Sequence, residues 1–365
     1  MWDNCPRNKE PSSQQKMNSL IDAPLDIIPL KIESDPLGST MHVVWEEGNV
    51  SSFPANWLRD HTYSNPALNE ARRQALFTWD KEKLTKHSLS TFTYQELMED
   101  EKKVWEWAKV LSSVGLSKVS GVPPDEEGLK AVASRLGRLK VTMYPLVDHV
   151  YYQPSPSNVA YTSVRLEPHM DLCYYEAVPG FQFLHCAEYK TTGGQNFFVD
   201  GFMAAEYLRM LNPSAFQLLT HTKTTFQKID KENHRIYRSP PITIDQTGQI
   251  VGINYSPQFE GPLQIPFDSV MEYYGAMKSW IQIIRHPDLA YSLQLGEGDM
   301  VAFNNRRVLH AREAFAPEGT RRILTCYVDT DEFSSTWRLM GRRYEEGLML
   351  PRIGDYTFWG DSVST

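Results

Sequence analysis

The strongest constraint in this sequence is His169-Met170-Asp171, answered far downstream by His310 in Val308-Leu309-His310-Ala311-Arg312. Two imidazoles and one carboxylate suit a borderline divalent cation such as Fe(II), held on one face with the other positions open. In an extended strand, residues two apart point to the same side. The spacing therefore predicts that His169 and Asp171 face one interior while Met170 turns away. Taken alone, the pair is equally a polar strand end, and His310 is equally a structural histidine in a hairpin. Two further features join them. The turn Gly296-Glu297-Gly298-Asp299 leads into the apolar run that carries His310, and Arg321 follows about a dozen residues later. Arg321 offers a planar, permanently charged fork suited to the far end of a dicarboxylate, whereas Arg321 and Arg322 as solvated charges at a strand start is the plainer alternative. The joint pattern favours a metal site.

Composition narrows the class. The chain has 365 residues, 41% of them hydrophobic and 12% aromatic, which is enough to bury one large or two medium cores. A formal charge of -8 argues against nucleic acid as a partner. No apolar run is long enough to span a membrane, and the opening Met1-Trp2-Asp3-Asn4-Cys5-Pro6 is unlike a signal peptide. Cys5, Cys173, Cys186 and Cys326 are widely spaced, so reduced thiols in the cytoplasm are expected.

Along the chain, residues 1 to about 20 read as a loose arm. His42-Val43-Val44-Trp45 and the turn after it suggest a hairpin, and Asn69 to Gln74 a short helix. Helices are predicted over 94–114, 126–136, 202–220 and 267–285 from apolar residues at helical spacing. Strands are predicted at 115–119, 181–186 and 196–200. The expected fold is mainly β with flanking helices on one side, a β-sandwich or jelly roll. No glycine-rich phosphate loop follows a strand. A small N-terminal β-rich domain is expected over residues 1–80, a catalytic domain over 92–345 and a tail over 346–365.

Longer stretches carry a family resemblance. Asn158-Val159-Ala160-Tyr161-Thr162, His169-Met170-Asp171, Pro179 to Cys186, Thr192-Gly193-Gly194, Val199-Asp200-Gly201-Phe202 and Leu309-His310-Ala311-Arg312 resemble the γ-butyrobetaine dioxygenase/trimethyllysine dioxygenase group of TauD-like Fe(II)/2-oxoglutarate oxygenases. The resemblance implies a double-stranded β-helix. It also implies His169, Asp171 and His310 as iron ligands, Arg321 on the far carboxylate of 2-oxoglutarate, and a homodimer. Asn196 stands where such enzymes place a hydroxyl residue toward the co-substrate. The expected requirements are Fe(II), 2-oxoglutarate and O2.

Two departures bear on function. The group's small domain holds zinc through clustered cysteines, but only Cys5 is present here, so no zinc is expected. Tyr144, Tyr161 and Tyr327 match an aromatic cage for a quaternary ammonium, yet Asp148 falls where another aromatic would stand. His149, Tyr151 and Tyr152 are expected in a flexible entrance loop. Asn158 either binds a substrate carboxylate or caps a turn. The expected function is C–H oxidation of a small amine-bearing carboxylic acid, by hydroxylation, cyclisation or desaturation. The alternatives are γ-butyrobetaine hydroxylation in carnitine synthesis, a silent ligand-binding β-helix protein, and a metal-dependent hydrolase.

Overall fold

The computed structural model describes the chain apart from residues 20, 22–24, 47, 62–75, 155–157, 246–247 and 345–365. The helix expected over 69–74 and the tail over 346–365 lie outside the described residues. The chain divides into two compact units, 1–73 and 74–365.

In the first unit, Pro29–Ser34, Thr40–Trp45 and Val50–Pro54 form an antiparallel three-stranded sheet in that order. Alternation along the strands turns Val43, Trp45, Ser51 and Phe53 inward. Trp45 Nε1 donates to Ser51 Oγ at 2.7 Å, so the indole N–H is satisfied inside this small core.

The second unit is a jelly roll. Among its described residues, a six-stranded sheet runs in the order Thr91–Thr93, Leu116–Ser120, Met300–Asn304, Phe181–Lys190, Thr320–Val328, Asp148–Val150. A four-stranded sheet runs Tyr291–Leu293, Asn196–Asp200, Val308–Arg312, Leu166–His169. Every pairing is antiparallel except that of Thr91–Thr93 with Leu116–Ser120. Phe198, Phe303, Val308 and Ile323 share the core between the sheets. Phe198 and Phe303 meet edge to face with centroids 5.6 Å apart.

Helices back both sheets, not one. Phe183, Leu324, Trp105, Trp107 and Phe333 share a core that joins the six-stranded sheet to helices Glu101–Ser113 and Thr330–Tyr344. Val199 and Leu309, on the outer side of the four-stranded sheet, share another with helices Gly201–Leu211, Pro213–His221 and Val270–Ile284. The reason is visible in the strands: Phe198-Val199 and Val308-Leu309 are apolar on both faces, the pattern of a sheet covered on both sides.

Two predicted helices are each broken. The one expected over 94–114 is Tyr94–Glu99 followed by Glu101–Ser113, because Asp100 is extended and caps the second helix at Lys102 N. The one expected over 202–220 breaks at Asn212-Pro213. Proline has no N–H to continue the ladder and starts a new helix, and Asn212 caps it at Ala215 N. The helix expected over 267–285 is Val270–Ile284, preceded by a 3-10 turn at Phe267–Ser269.

Candidate metal centre and adjoining cavity

His169 ends its strand, and His310 stands directly opposite it on the neighbouring strand. Direct opposition is the closest approach two sheet residues can make, and the imidazole centroids are 4.2 Å apart. Asp171 lies beyond the strand, contrary to the expectation of a strand through 171. It is turned by Leu172, whose φ of 61° is left-handed and costly for a side chain of this size. Asn305 holds this bend from the far side. Its Oδ1 accepts from Asp171 N at 3.0 Å and its Nδ2 donates to Asp171 O at 3.0 Å and Pro179 O at 3.2 Å.

The three side chains converge. His169 Nε2 is 3.6 Å and His310 Nε2 4.0 Å from Asp171 Oδ1, and one donor atom from each residue lies within 4.8 Å of the other two. Oδ2 of Asp171 is already engaged, since Gln182 Nε2 and Tyr327 Oη each donate to it at 2.7 Å. Oδ1 is therefore the oxygen turned to the histidines. His169 Nδ1 lies 2.8 Å from Glu167 O and donates to it, which leaves Nε2 as the ring nitrogen turned to Asp171.

The protonation states suit ligation. Burial and the neighbouring His169 push His310 down to about 3, against the pull of Asp171, so it is neutral. Burial alone would raise Asp171. His310, His169 and the Tyr327 and Gln182 hydrogen bonds outweigh it and hold the carboxyl below its ordinary value. A neutral His310, an ionised Asp171 and the imidazole of His169 fit a single borderline divalent ion.

Arg321 is buried, and among the described residues no carboxylate lies within ion-pairing distance of it. Its Nη2 is 3.4 Å from Asn196 Oδ1, and its guanidinium lies 5.6 Å from the Phe315 ring. Gly194, at φ 71°, lets the chain pass: a Cβ there would lie 3.1 Å from Arg321 Nε. Along the Thr320–Val328 strand, Arg321, Thr325 and Tyr327 fall on alternate positions and share one face. Desolvation lowers the Arg321 pKa.

A cavity of about 50 Å³ adjoins the triad, lined by Tyr144, Asp148, Asn158, Tyr161, Tyr174 and Tyr327 together with His169 and Asp171. Arg321 and Asn196 are not among its lining residues. A larger cavity of about 560 Å³ shares Asn158, Val159, Gln258 and Phe259 with it. Asn158 caps the short turn Val159–Tyr161 through Oδ1 and also donates from Nδ2 to Tyr144 Oη at 3.1 Å. Tyr161 Oη donates to Asp148 Oδ2 at 2.8 Å. Tyr144 Oη is 3.3 Å from Tyr174 Oη. Burial raises Tyr144, Tyr161 and Tyr174.

His149 is not in an entrance loop. It sits on the Asp148–Val150 strand opposite Leu324, with Nε2 2.9 Å from Glu126. Tyr151 and Tyr152, just past that strand, are exposed. Arg312, two residues past His310, donates to the carbonyls of Ala160, Thr162 and Val164 and so ties the cavity-lining segment to the His310 strand.

Sequence reasoning missed Asn305, Gln182 and Tyr174. Gln182 carried a signal, a lone amide inside the apolar run Phe181 to Leu184. Asn305 and Tyr174 carried none that distinguishes them from turn and core residues.

The sequence profile of the family described as "Taurine catabolism dioxygenase TauD, TfdA family" matches residues 78–327. The chain is 33% identical over 346 residues to the γ-butyrobetaine dioxygenase of Pseudomonas sp. (strain AK-1), covering 92% of this chain and 88% of that protein. It is 30% identical over 353 residues to dioxygenase str8 of Strobilurus tenacellus, covering 92% and 82%. To the human mitochondrial trimethyllysine dioxygenase it is 27% identical over 347 residues, covering 93% and 81%. In fold it is similar to an asparagine oxygenase solved with Fe(II), 2S,3S-3-hydroxyasparagine and succinate, at TM-score 0.52 and 13% identity, covering 75% of this chain and 89% of that one.

Proposed function

The chain belongs to the TauD/TfdA family of dioxygenases, and from that premise we propose that it is an Fe(II)/2-oxoglutarate-dependent oxygenase of a small amine-bearing carboxylic acid. One observation carries the reading. His169, Asp171 and His310 converge as a two-histidine, one-carboxylate set, while the buried Arg321 has no acidic partner among the described residues.

Iron(II) with 2-oxoglutarate and O2 supplies the oxidation of a C–H bond, with succinate and CO2 as co-products. This chain's residues do the rest. His169, Asp171 and His310 would hold the ion. Gln182 and Tyr327 occupy Oδ2 of Asp171 and so keep Oδ1 on the metal side. Arg321, beside Asn196, receives the distal carboxylate of 2-oxoglutarate, and the low dielectric around it strengthens that pairing. Tyr144, Tyr161 and Tyr174 wall the substrate cavity and keep water from the reacting carbon. Asp148 and Asn158 supply its polar contacts. Tyr327 matches a cage position, but its hydroxyl is committed to Asp171, so its ring walls the cavity while its oxygen serves the metal ligand.

We further read residues 1–80 as a small domain preceding an oxygenase domain over 92–345, in a cytoplasmic homodimer. No described helix is long and apolar enough to cross a membrane. Light scattering of the purified protein tests the dimer.

The test of the function is succinate release that requires Fe(II), 2-oxoglutarate and O2. His169→Ala should abolish it. Arg321→Leu should raise the KM for 2-oxoglutarate about 100-fold, the loss of two charge-assisted hydrogen bonds. Turnover that persists in His169→Ala, or that runs on zinc without 2-oxoglutarate, removes the proposal. Hydroxylation of γ-butyrobetaine is the second reading, favoured by the aromatic walls and the 33% identity to the Pseudomonas enzyme.

A further inference from the structure

Among the described residues, the cavity beside the metal ligands is lined by two carboxylates, Asp148 and Asp171, and by neither lysine nor arginine. In the oxygenase reading, the ion answers the charge of Asp171. Among the described residues no cation lies within ion-pairing distance of the Asp148 carboxylate. His149, its neighbour in sequence, directs Nε2 to Glu126 instead.

Asp148 is also incompletely hydrogen-bonded. Oδ1 accepts from His149 N at 2.9 Å and Oδ2 from Tyr161 Oη at 2.8 Å. An ionised carboxylate has about four acceptor sites, so about two remain. Burial disfavours its charge and raises its pKa, the signature of a carboxylate lacking a counter-charge in a half-buried setting.

Its position ties it to the reacting centre. Asp148 stands opposite Thr325 in the sheet. Thr325 Oγ1 is 3.4 Å from Gln182 Nε2, which holds Asp171. Asp148 also lines the same cavity as His169 and Asp171, so a cation seated on it shares that cavity with the metal ligands.

We infer that Asp148 anchors the ammonium group of the substrate, and that this group carries N–H bonds: a primary or secondary amine rather than a quaternary one. The inference deepens the oxygenase reading and rests on it. One physical argument separates the amine classes. Free acceptor sites on Asp148 reward N–H donors, and a tetraalkylammonium has none. The rings of Tyr144, Tyr161 and Tyr174 offer cation–π attraction to either class and do not discriminate between them.

The experiment uses a methylation series on ω-amino carboxylic acids of graded chain length, from the free amine through the N-methyl and N,N-dimethyl forms to the trimethylammonium. Binding is measured by anaerobic calorimetry on the full chain loaded with Fe(II) and 2-oxoglutarate, so no turnover is needed. At the best chain length, the N–H-bearing members should bind at least about tenfold tighter than the trimethylammonium. Asp148→Asn, which keeps the shape but not the charge, should cost those members about 30-fold, about 2 kcal/mol, and cost the trimethylammonium, which loses charge attraction but no hydrogen bond, markedly less. The wild-type series stands by itself should the variant fail to fold. A trimethylammonium that binds as tightly as the free amine overturns the inference, as does an Asp148→Asn variant with unaltered amine affinity or a panel in which no member binds.

Succinate formed without any amine is assayed in parallel. If succinate forms but the methylation ranking fails, the anchor falls and the oxygenase stands. If the ranking holds without succinate, the anchor stands and the oxygenase falls.

Discussion

Tyr327→Phe separates two roles that one residue combines, one carried by its ring and one by its hydroxyl. The ring walls the cavity, whereas the hydroxyl donates to Asp171 Oδ2 at 2.7 Å. Phenylalanine keeps the ring and deletes the bond. A hydrogen bond to a charged acceptor contributes about 1.5–3 kcal/mol. Loss of such a partner behind a metal ligand typically costs about 10–100-fold in affinity. Gln182 remains on the same oxygen at 2.7 Å, so the single variant belongs at the low end, about tenfold. Gln182→Leu should cost about as much. The double variant, which frees Oδ2 altogether, should approach about 100-fold, or about 2.8 kcal/mol. Mn(II), a redox-inert stand-in, is titrated into the metal-free protein at fixed pH, with free Mn(II) read by electron paramagnetic resonance. If all three variants stay within about threefold of wild type, the hydroxyl does not orient Asp171 and the reasoning fails.

Arg312→Leu removes three hydrogen bonds to the carbonyls of Ala160, Thr162 and Val164; amine-substrate KM should rise about tenfold while succinate formation without substrate persists. Asp200 accepts from Arg307 Nε at 3.0 Å and Nη2 at 2.8 Å, and from the backbone N–H of Trp79 and Phe202. Asp200→Ala leaves a buried guanidinium uncompensated and should cost about 3–5 kcal/mol in urea unfolding; a loss under about 1 kcal/mol contradicts the geometry. Burial lowers the pKa of His185 against the raising effect of the Pro123 and Asp299 carbonyls. A depressed histidine contributes stability that is complete above its ordinary value of about 6.5 and is lost as pH falls below it. Wild type should therefore lose thermal stability from about pH 6.5 downward, and His185→Gln, though less stable at neutral pH, should show a flatter profile there.

Much of the site was legible along the chain because its residues obey periodicities the chain itself imposes. Period two pointed His169 and Asp171 to one interior, although the strand ends at His169, and the apolar runs around His310 and Gln182 marked buried strands. Helical spacing located Glu101–Ser113 and Val270–Ile284. What periodicity does not encode is where an element stops. Asp100 and Asn212-Pro213 each divided a predicted helix through capping and a missing N–H, local chemistry that apolar spacing overlooks.

Residue types and spacing singled out His169, Asp171 and His310 as a candidate donor set and Arg321 as the cation proposed to serve it. A metal's preference for imidazole and carboxylate is a property of those groups wherever the chain carries them. Tertiary structure decided how the set is aimed. Asp171 presents Oδ1 because Gln182 and Tyr327, from two other strands, take Oδ2, and because Asn305 clasps its backbone across more than a hundred residues of sequence. The charge left on Asp148 is likewise a tertiary fact. A carboxylate's counter-ion is whatever the fold brings within a few ångströms, and among the described residues the fold brings His149 Nε2 to Glu126 and hydrogen-bond donors, His149 N and Tyr161 Oη, to Asp148.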